Sequence, residues 1–284
     1  MSGKGWLNGF IGVLIFSGSL PATRVADAGF SPLFLTGARA CIAGVLGLGL
    51  LLLFQEKRPG RGEILPLLIV AAGVVVGFPL LTALALRHLT ASHSIMYIGL
   101  LPLSTAMFAV LRGGERPHPG FWLFSALGSL LIAGYALARG AGSVSVGDGM
   151  MLGAIVICGL AYAEGARLSR TLGGWQVVSW ALVLSLPLMA GLVVVSWPGS
   201  WGQVPGSAWV GLGYVSIFSM LVGFLFWYRG LAQGGIATVG QLQLLQPGFG
   251  LILAGTLLHE TIGWPLIMVM GAVAACVAAA KGYA

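Results

Sequence analysis

Charge is what this sequence has least of. Of its 284 residues, 7% are Asp, Glu, Lys or Arg and 58% are hydrophobic, whereas soluble domains run at about 25% charged. A chain of this length could bury a large core, but it could not coat that core with so few charges. Water-soluble globular classes are therefore excluded, and lipid is the expected solvent. Acids are scarcer than bases, 7 against 14, for a net charge of +7. The basic residues stand singly or in short groups between apolar runs rather than on one amphipathic face, which argues against a nucleic-acid partner. Cysteine is sparse too. Cys41, Cys158 and Cys276 all fall inside apolar runs, so they read as small buried hydrophobes and not as a disulfide framework or metal site. The chain has no HExxH, no GxSxG and no pair of intramembrane acids, which disfavours a membrane-embedded enzyme. No selectivity-filter sequence points to a channel, and no cofactor is expected.

What the chain does have is long apolar runs. A bilayer core takes about 20 apolar residues per helix. Punctuation at Arg, Pro, Gly and acid clusters predicts ten spans, at 6–22, 33–54, 64–86, 90–111, 120–138, 149–166, 175–195, 208–228, 236–258 and 262–280. The fold class expected is all-α integral membrane. The first run, with Lys4 ahead of it and Val25-Ala26-Asp27-Ala28-Gly29 behind it, has the outline of a cleavable signal. We expect it to be retained, because the repeat described next needs it. With the N-terminus inside, the cytoplasmic segments hold Lys4, Lys57, Arg58, Arg61, Arg112, Arg116, Arg167, Arg170, Arg229 and Lys281, and the outer ones Arg24, Arg87 and Arg139. That excess places both termini in the cytoplasm.

Sliding the chain against itself by 145 residues sets Leu100-Leu101-Pro102 on Leu245-Gln246-Pro247 and Glu115 on Glu260. Each half then reads as a short helix with a central Pro, a Glu at its end and a final apolar helix. Residues 1–139 and 146–284 are the expected five-helix repeats. Five is odd, so the second copy enters the membrane from the opposite side. Inverted repeats of this kind recur in secondary transporters, with the substrate near the midplane.

The stretch from Ala91 to Gly134, with its Leu-Leu-Pro, its Gly-Gly-Glu-Arg and then Gly120, Gly128 and Gly134, together with Leu-Leu-Gln-Pro at 244–247, Glu260 and Gly263, resembles the EamA-type branch of the drug/metabolite transporter superfamily. Within that branch the likeness is to YddG-type amino-acid exporters of bacterial inner membranes. The resemblance implies a ten-helix inverted repeat, alternating access and a small metabolite as cargo. Fold alone does not fix the cargo.

Polar side chains inside lipid must face the bundle interior or a wet cavity. His93 and Tyr97 lie one turn apart on one helix face, and the 145-residue shift carries that face to Thr238 and Gln241. Gln243 and Gln246 stand on other sides of the same helix. Which Gln meets the cavity is left open, and interhelical bonding is the plainer role for any of them. Phe78, Tyr162, Trp180, Phe224 and Trp227 could wall an apolar side chain. Arg39 lies within the second span, at a cost of roughly 3 kcal/mol on insertion scales. It is either a structural brace or a contact for a carboxylate. Glu164 stands three residues before Arg167, the spacing of a local helix pair. The function expected is secondary transport of a small metabolite, with export of neutral or aromatic amino acids foremost. The alternative is a drug or other metabolite carried by the same fold.

Overall fold

The computed structural model describes residues 3–138, 145–257 and 263–283. Among them every regular element is helical. Seven helices are long and apolar enough to cross a membrane: α1 (Gly3–Asp27), α2 (Pro32–Leu53), α3 (Arg61–Ala85), α6 (Val146–Ser169), α7 (Gly174–Val195), α8 (Gly206–Gly234) and α9, whose membrane-length part is Ile236–Leu253. Three shorter apolar stretches complete the set: the second piece of α4 (Leu101–Gly113), α5 (Pro119–Tyr135) and α10 (Ile267–Lys281).

Local chemistry sets the helix starts. Ser31 caps α2, its hydroxyl accepting from the Phe34 amide at 3.2 Å ahead of Pro32, the first-turn position where a missing N–H costs nothing. Glu63 accepts from the Gly60 amide at 2.7 Å and fixes the start of α3. Asp148 does the same for α6 through the Ser145 amide, also at 2.7 Å.

Five helices depart from regular α winding, α1 among them with an interruption at Gly18. The expected fourth span, 90–111, is two helices, Ala91–Ile98 and Leu101–Gly113, separated at Gly99–Leu100 with Pro102 opening the second. Residues Ala71–Gly77 of α3 and Tyr214–Val222 of α8 are π-helical, and Gln241–Leu245 of α9 is a 3₁₀ turn. Adding 145 to 71–77 gives 216–222, inside the second π segment, and adding it to 99–100 gives 244–245, inside the 3₁₀ turn. Irregular windings therefore recur at an offset of 145 residues.

The core is largely apolar, and the outer surface of the helices is apolar as well. Leu52, Leu53, Val194, Val195 and Met268 point outward, while Ser94, Thr105, Ser125, Gln241 and Gln243 are fully buried. This is the arrangement expected when the solvent is hydrocarbon. The principal helix pairs are α1 on α8, α3 on α6, α2 on α7, α5 on α10, and the second piece of α4 on α6. Helix α1 approaches α8 so closely that a Cβ on Gly230 would lie 2.6 Å from the Gly9 amide nitrogen. Small residues permit such backbone approach, which drives helix association in lipid.

Candidate substrate site

Three polar layers and one aromatic layer stack along the bundle. The first lies at the end where most basic residues collect. Helix ends there are tied by Gln176 to Glu56 at 3.1 Å and Asn8 to Gln233 at 3.1 Å. Glu164 is fully buried and paired with both Arg112 and Arg167, the latter at 3.0 Å. The local pair expected from the Glu164–Arg167 spacing is present, and Arg112 of α4 joins it. Glu115 accepts from the Ile236 and Ala237 amides at 2.8 Å each and from Arg170 at 3.3 Å. It therefore caps α9, whose chain enters through Gly235 at φ 91°, a left-handed geometry suited to Gly. Glu115 is therefore structural. Its repeat partner Glu260 lies outside the described residues, as does Arg139. A cavity of about 370 Å³ opens at this end beside Gln176, Arg229 and Gln233.

Above this layer sits a cluster of rings. Tyr162 of α6 meets Trp227 at 5.5 Å and Phe224 at 5.9 Å, and Phe16 of α1 meets Phe224 at 4.9 Å. Tyr228 closes the group, 5.4 Å from Phe224. Gln246 donates to the Phe16 carbonyl at 3.4 Å. The Tyr162 hydroxyl faces Cys158 and the Gln243 amide. Neither amide atom of Gln243 reaches a hydrogen bond of ordinary geometry, and the same holds for Trp227 Nε1 and Gln246 Oε1. Buried polar atoms are nearly always satisfied in native structures, so four such atoms at one cluster mark a place where a ligand or water completes the bonding.

One helical turn further along α1 lies a cationic layer. Arg39 is buried, 6% exposed, and donates from Nη2 to Ser219 at 3.2 Å. Ser219 shares a 2.7 Å hydrogen bond with Ser19. At the far end, Asp148 gathers His93 at 3.1 Å and Tyr97 at 2.8 Å, and the His93 and Tyr97 rings stack at 5.8 Å. Arg24 braces that end by donating to the Leu86 carbonyl at 2.7 Å.

The residues singled out in the sequence thus divide. Tyr162, Trp227, Gln243 and Gln246 come together with Phe224. Gln241 turns away and donates to Ser125 of α5 at 3.1 Å, the interhelical role. Phe78 and Trp180 pack partly buried against the same core, with no ring contact to the cluster among the described residues. His93 and Tyr97 do share a face, but that face meets Asp148. Asp148 and Tyr162 are 14 residues apart on α6, roughly 21 Å along its axis. The expectation that the His93 face and the α9 glutamines wall one pocket is therefore not met at a single depth. The sequence reading missed Phe16, Tyr228, Ser219 and Asp148. The first three are ordinary-looking apolar-run residues, and Asp148 reads alone as a helix cap.

The sequence pattern of the EamA-like transporter family matches the chain twice, over residues 3–137 and 145–280. The chain belongs to the EamA-like transporter family. It is a multi-pass membrane transporter by that membership. Among EamA-like relatives it is 65% identical over 281 residues to the uncharacterized transporter YdeK of Bacillus subtilis (strain 168), covering 99% of this chain and 98% of that one. A shorter likeness, 31% over 107 residues, joins it to the S-adenosylmethionine/S-adenosylhomocysteine transporter of Chlamydia muridarum (strain MoPn / Nigg), spanning 36% of this chain and 33% of the relative. A crystal structure of 20% sequence identity shares the fold, with a TM-score of 0.79 over 99% of this EamA-like chain and 97% of its own.

Proposed function

We propose that this EamA-like transporter is an alternating-access exporter of neutral and aromatic amino acids, resembling the YddG-type exporters, in a bacterial inner membrane with both termini cytoplasmic. The single observation that carries the reading is the set of unpartnered buried atoms on Gln243, Gln246 and Trp227 within the Tyr162–Phe224–Phe16 ring cluster. An apolar pocket with a few unsatisfied polar groups is the usual form of a small-molecule site. The cargo side chain lies among the rings, its polar groups meet Gln243 and Gln246, and Arg39 stands one turn beyond. His93 and Tyr97 act at the outer end through Asp148. Phe78 and Trp180 serve as outer wall, and Gln241 as a brace to α5.

The architecture proposed is two inverted five-helix halves, 1–139 and 146–284. Support comes from the double family match and from the shared register of the irregular windings. Each end carries polar ties between the halves: the ion pairs Arg112–Glu164 and Arg170–Glu115 at the basic end, and the His93–Asp148 contact at the other. Alternating access requires that one set part while the other holds, with cargo exposed to one side at a time. The chemistry is binding and release without a bond made or broken.

Flux into proteoliposomes of labelled threonine, methionine and tryptophan tests the reading. Saturable counterflow of at least one is expected; no flux of any, from folded protein, contradicts the amino-acid assignment. The second reading takes S-adenosylmethionine as cargo. It rests on the local likeness to the chlamydial transporter and on a ring cluster that suits a flat base as well as an indole. The same vesicles assayed with that compound distinguish the two.

A further inference from the structure

Among the described residues the Arg39 guanidinium has no counter-charge. It is buried at 6% exposure, makes one hydrogen bond, to Ser219, and its Nε has no partner. Thr36, one turn earlier on α2, also buries an unpartnered hydroxyl. The described acids lie elsewhere, and all but Asp27, which keeps one buried oxygen unpartnered, have partners of their own. Glu164 and Glu115 are held by Arg112, Arg167 and Arg170, and Asp148 by His93 and Tyr97. Glu56 meets Gln176, Glu63 caps Gly60, and Asp27 lies in the field of Arg24 and Arg87. Neighbouring hydroxyls such as Ser17 and Ser216 are satisfied by their own helices, at 2.7 and 2.6 Å. An isolated cation inside a membrane protein marks a functional site, because nothing in lipid neutralises it.

We propose that Arg39, Ser219 and Ser19 form an anion-binding pole, and that the transporter selects cargo bearing a free carboxylate over amine cations of the same shape. The proposal rests on the carrier reading above and names the chemical class of its cargo. The geometry favours it. Ser19 lies three residues from Phe16 on α1, about 4.5 Å along the axis. Ser219 meets Ser19 at 2.7 Å and Phe224 meets Phe16 at 4.9 Å, so both pairs lie on the facing sides of α1 and α8. A carboxylate accepting from Arg39 therefore leaves the rest of its molecule directed at the Phe16–Phe224 pair. With no acid in the ring cluster or beside Arg39 among the described residues, an ammonium group finds no charged partner there, whereas a carboxylate does.

Three ligands sharing one ring test this on the full-length protein: L-phenylalanine, 3-phenylpropanoate and 2-phenylethylamine. The first two are expected to raise Tm by at least about 2 °C, and the amine to leave it unchanged. Arg39→Gln should lose both shifts and lower phenylalanine flux by roughly tenfold or more, with Arg39→Lys recovering part of the flux. Without ligand, Arg39→Gln should melt at or above the wild-type temperature, because it removes an uncompensated charge. An equal shift from the amine overturns the proposal, and so does a clear fall in the ligand-free Tm of Arg39→Gln, which is the signature of a brace. If none of the three ligands shifts the wild type, the aromatic amino-acid reading fails, and the ligand-free Tm still decides on Arg39.

Discussion

Gln243 and Glu164 are both fully buried polar residues, yet their surroundings are opposite. The Gln243 amide faces the Tyr162 hydroxyl without a hydrogen bond of ordinary geometry, whereas Glu164 has two arginines. Replacing Gln243 by Leu removes unsatisfied groups from the interior, so ligand-free Tm should hold or rise. Cargo flux should fall by roughly tenfold, the loss of one good contact. Thermal melting and counterflow on one preparation read both effects. Glu164→Ala should do the reverse, lowering stability by about 1–2 kcal/mol. That is less than a fully buried pair would lose, because Arg112 and Arg167 are 44% and 46% exposed and can turn to water. Denaturant melting measures it. At this scale the sequence was partly readable. The three-residue spacing of Glu164 and Arg167 is local and foretold their pairing. The meeting of Asp148 with Tyr97 spans 51 residues, and no helical period could show it. The orientation of the glutamines was hidden for another reason. Gln241–Leu245 winds as a 3₁₀ helix, with three residues per turn instead of 3.6, so a face drawn on an α-helix misplaces Gln243.

The helices carry the second group of consequences. Packing of α1 on α8 depends on Gly230, where a Cβ would meet the Gly9 nitrogen at 2.6 Å. That atom is backbone and cannot swing aside. Gly230→Leu should therefore force α1 and α8 apart and cut the yield of folded protein, while Gly191→Leu, at a site with open space around it, should be neutral; size-exclusion profiles in detergent compare them. The outer ends of α4 and α6 meet through Asp148, which accepts from the Ser145 amide and hydroxyl at 2.7 and 2.8 Å and from Tyr97 at 2.8 Å. Asp148→Asn weakens both the cap and the tie, and Tm should fall by about 2–4 °C. The all-helical, apolar character of the chain was legible, because apolar run length is set by bilayer thickness; of the ten spans expected, seven described helices are long and apolar enough to cross. The interruption at Gly99–Leu100 and the two π segments were not legible, because such windings answer to neighbouring helices rather than to local composition.

For the whole molecule, the decisive feature is that an apolar exterior encloses a few buried polar groups, with polar ties between the two family-matched halves at each end and rings between those ends. A carrier needs such a layout, in which either end can part without exposing the middle to both sides. The reading depends on the two halves entering the membrane with opposite sidedness. Cysteine labelling measures this directly. Cys41, Cys158 and Cys276, all free thiols, are first replaced by Ala. Lys57→Cys and Gly202→Cys are then introduced separately and treated in intact cells with a membrane-impermeant thiol reagent. The account predicts that position 202 reacts from outside and that position 57 reacts only after the membrane is opened. Reaction of both positions from the same side would contradict it.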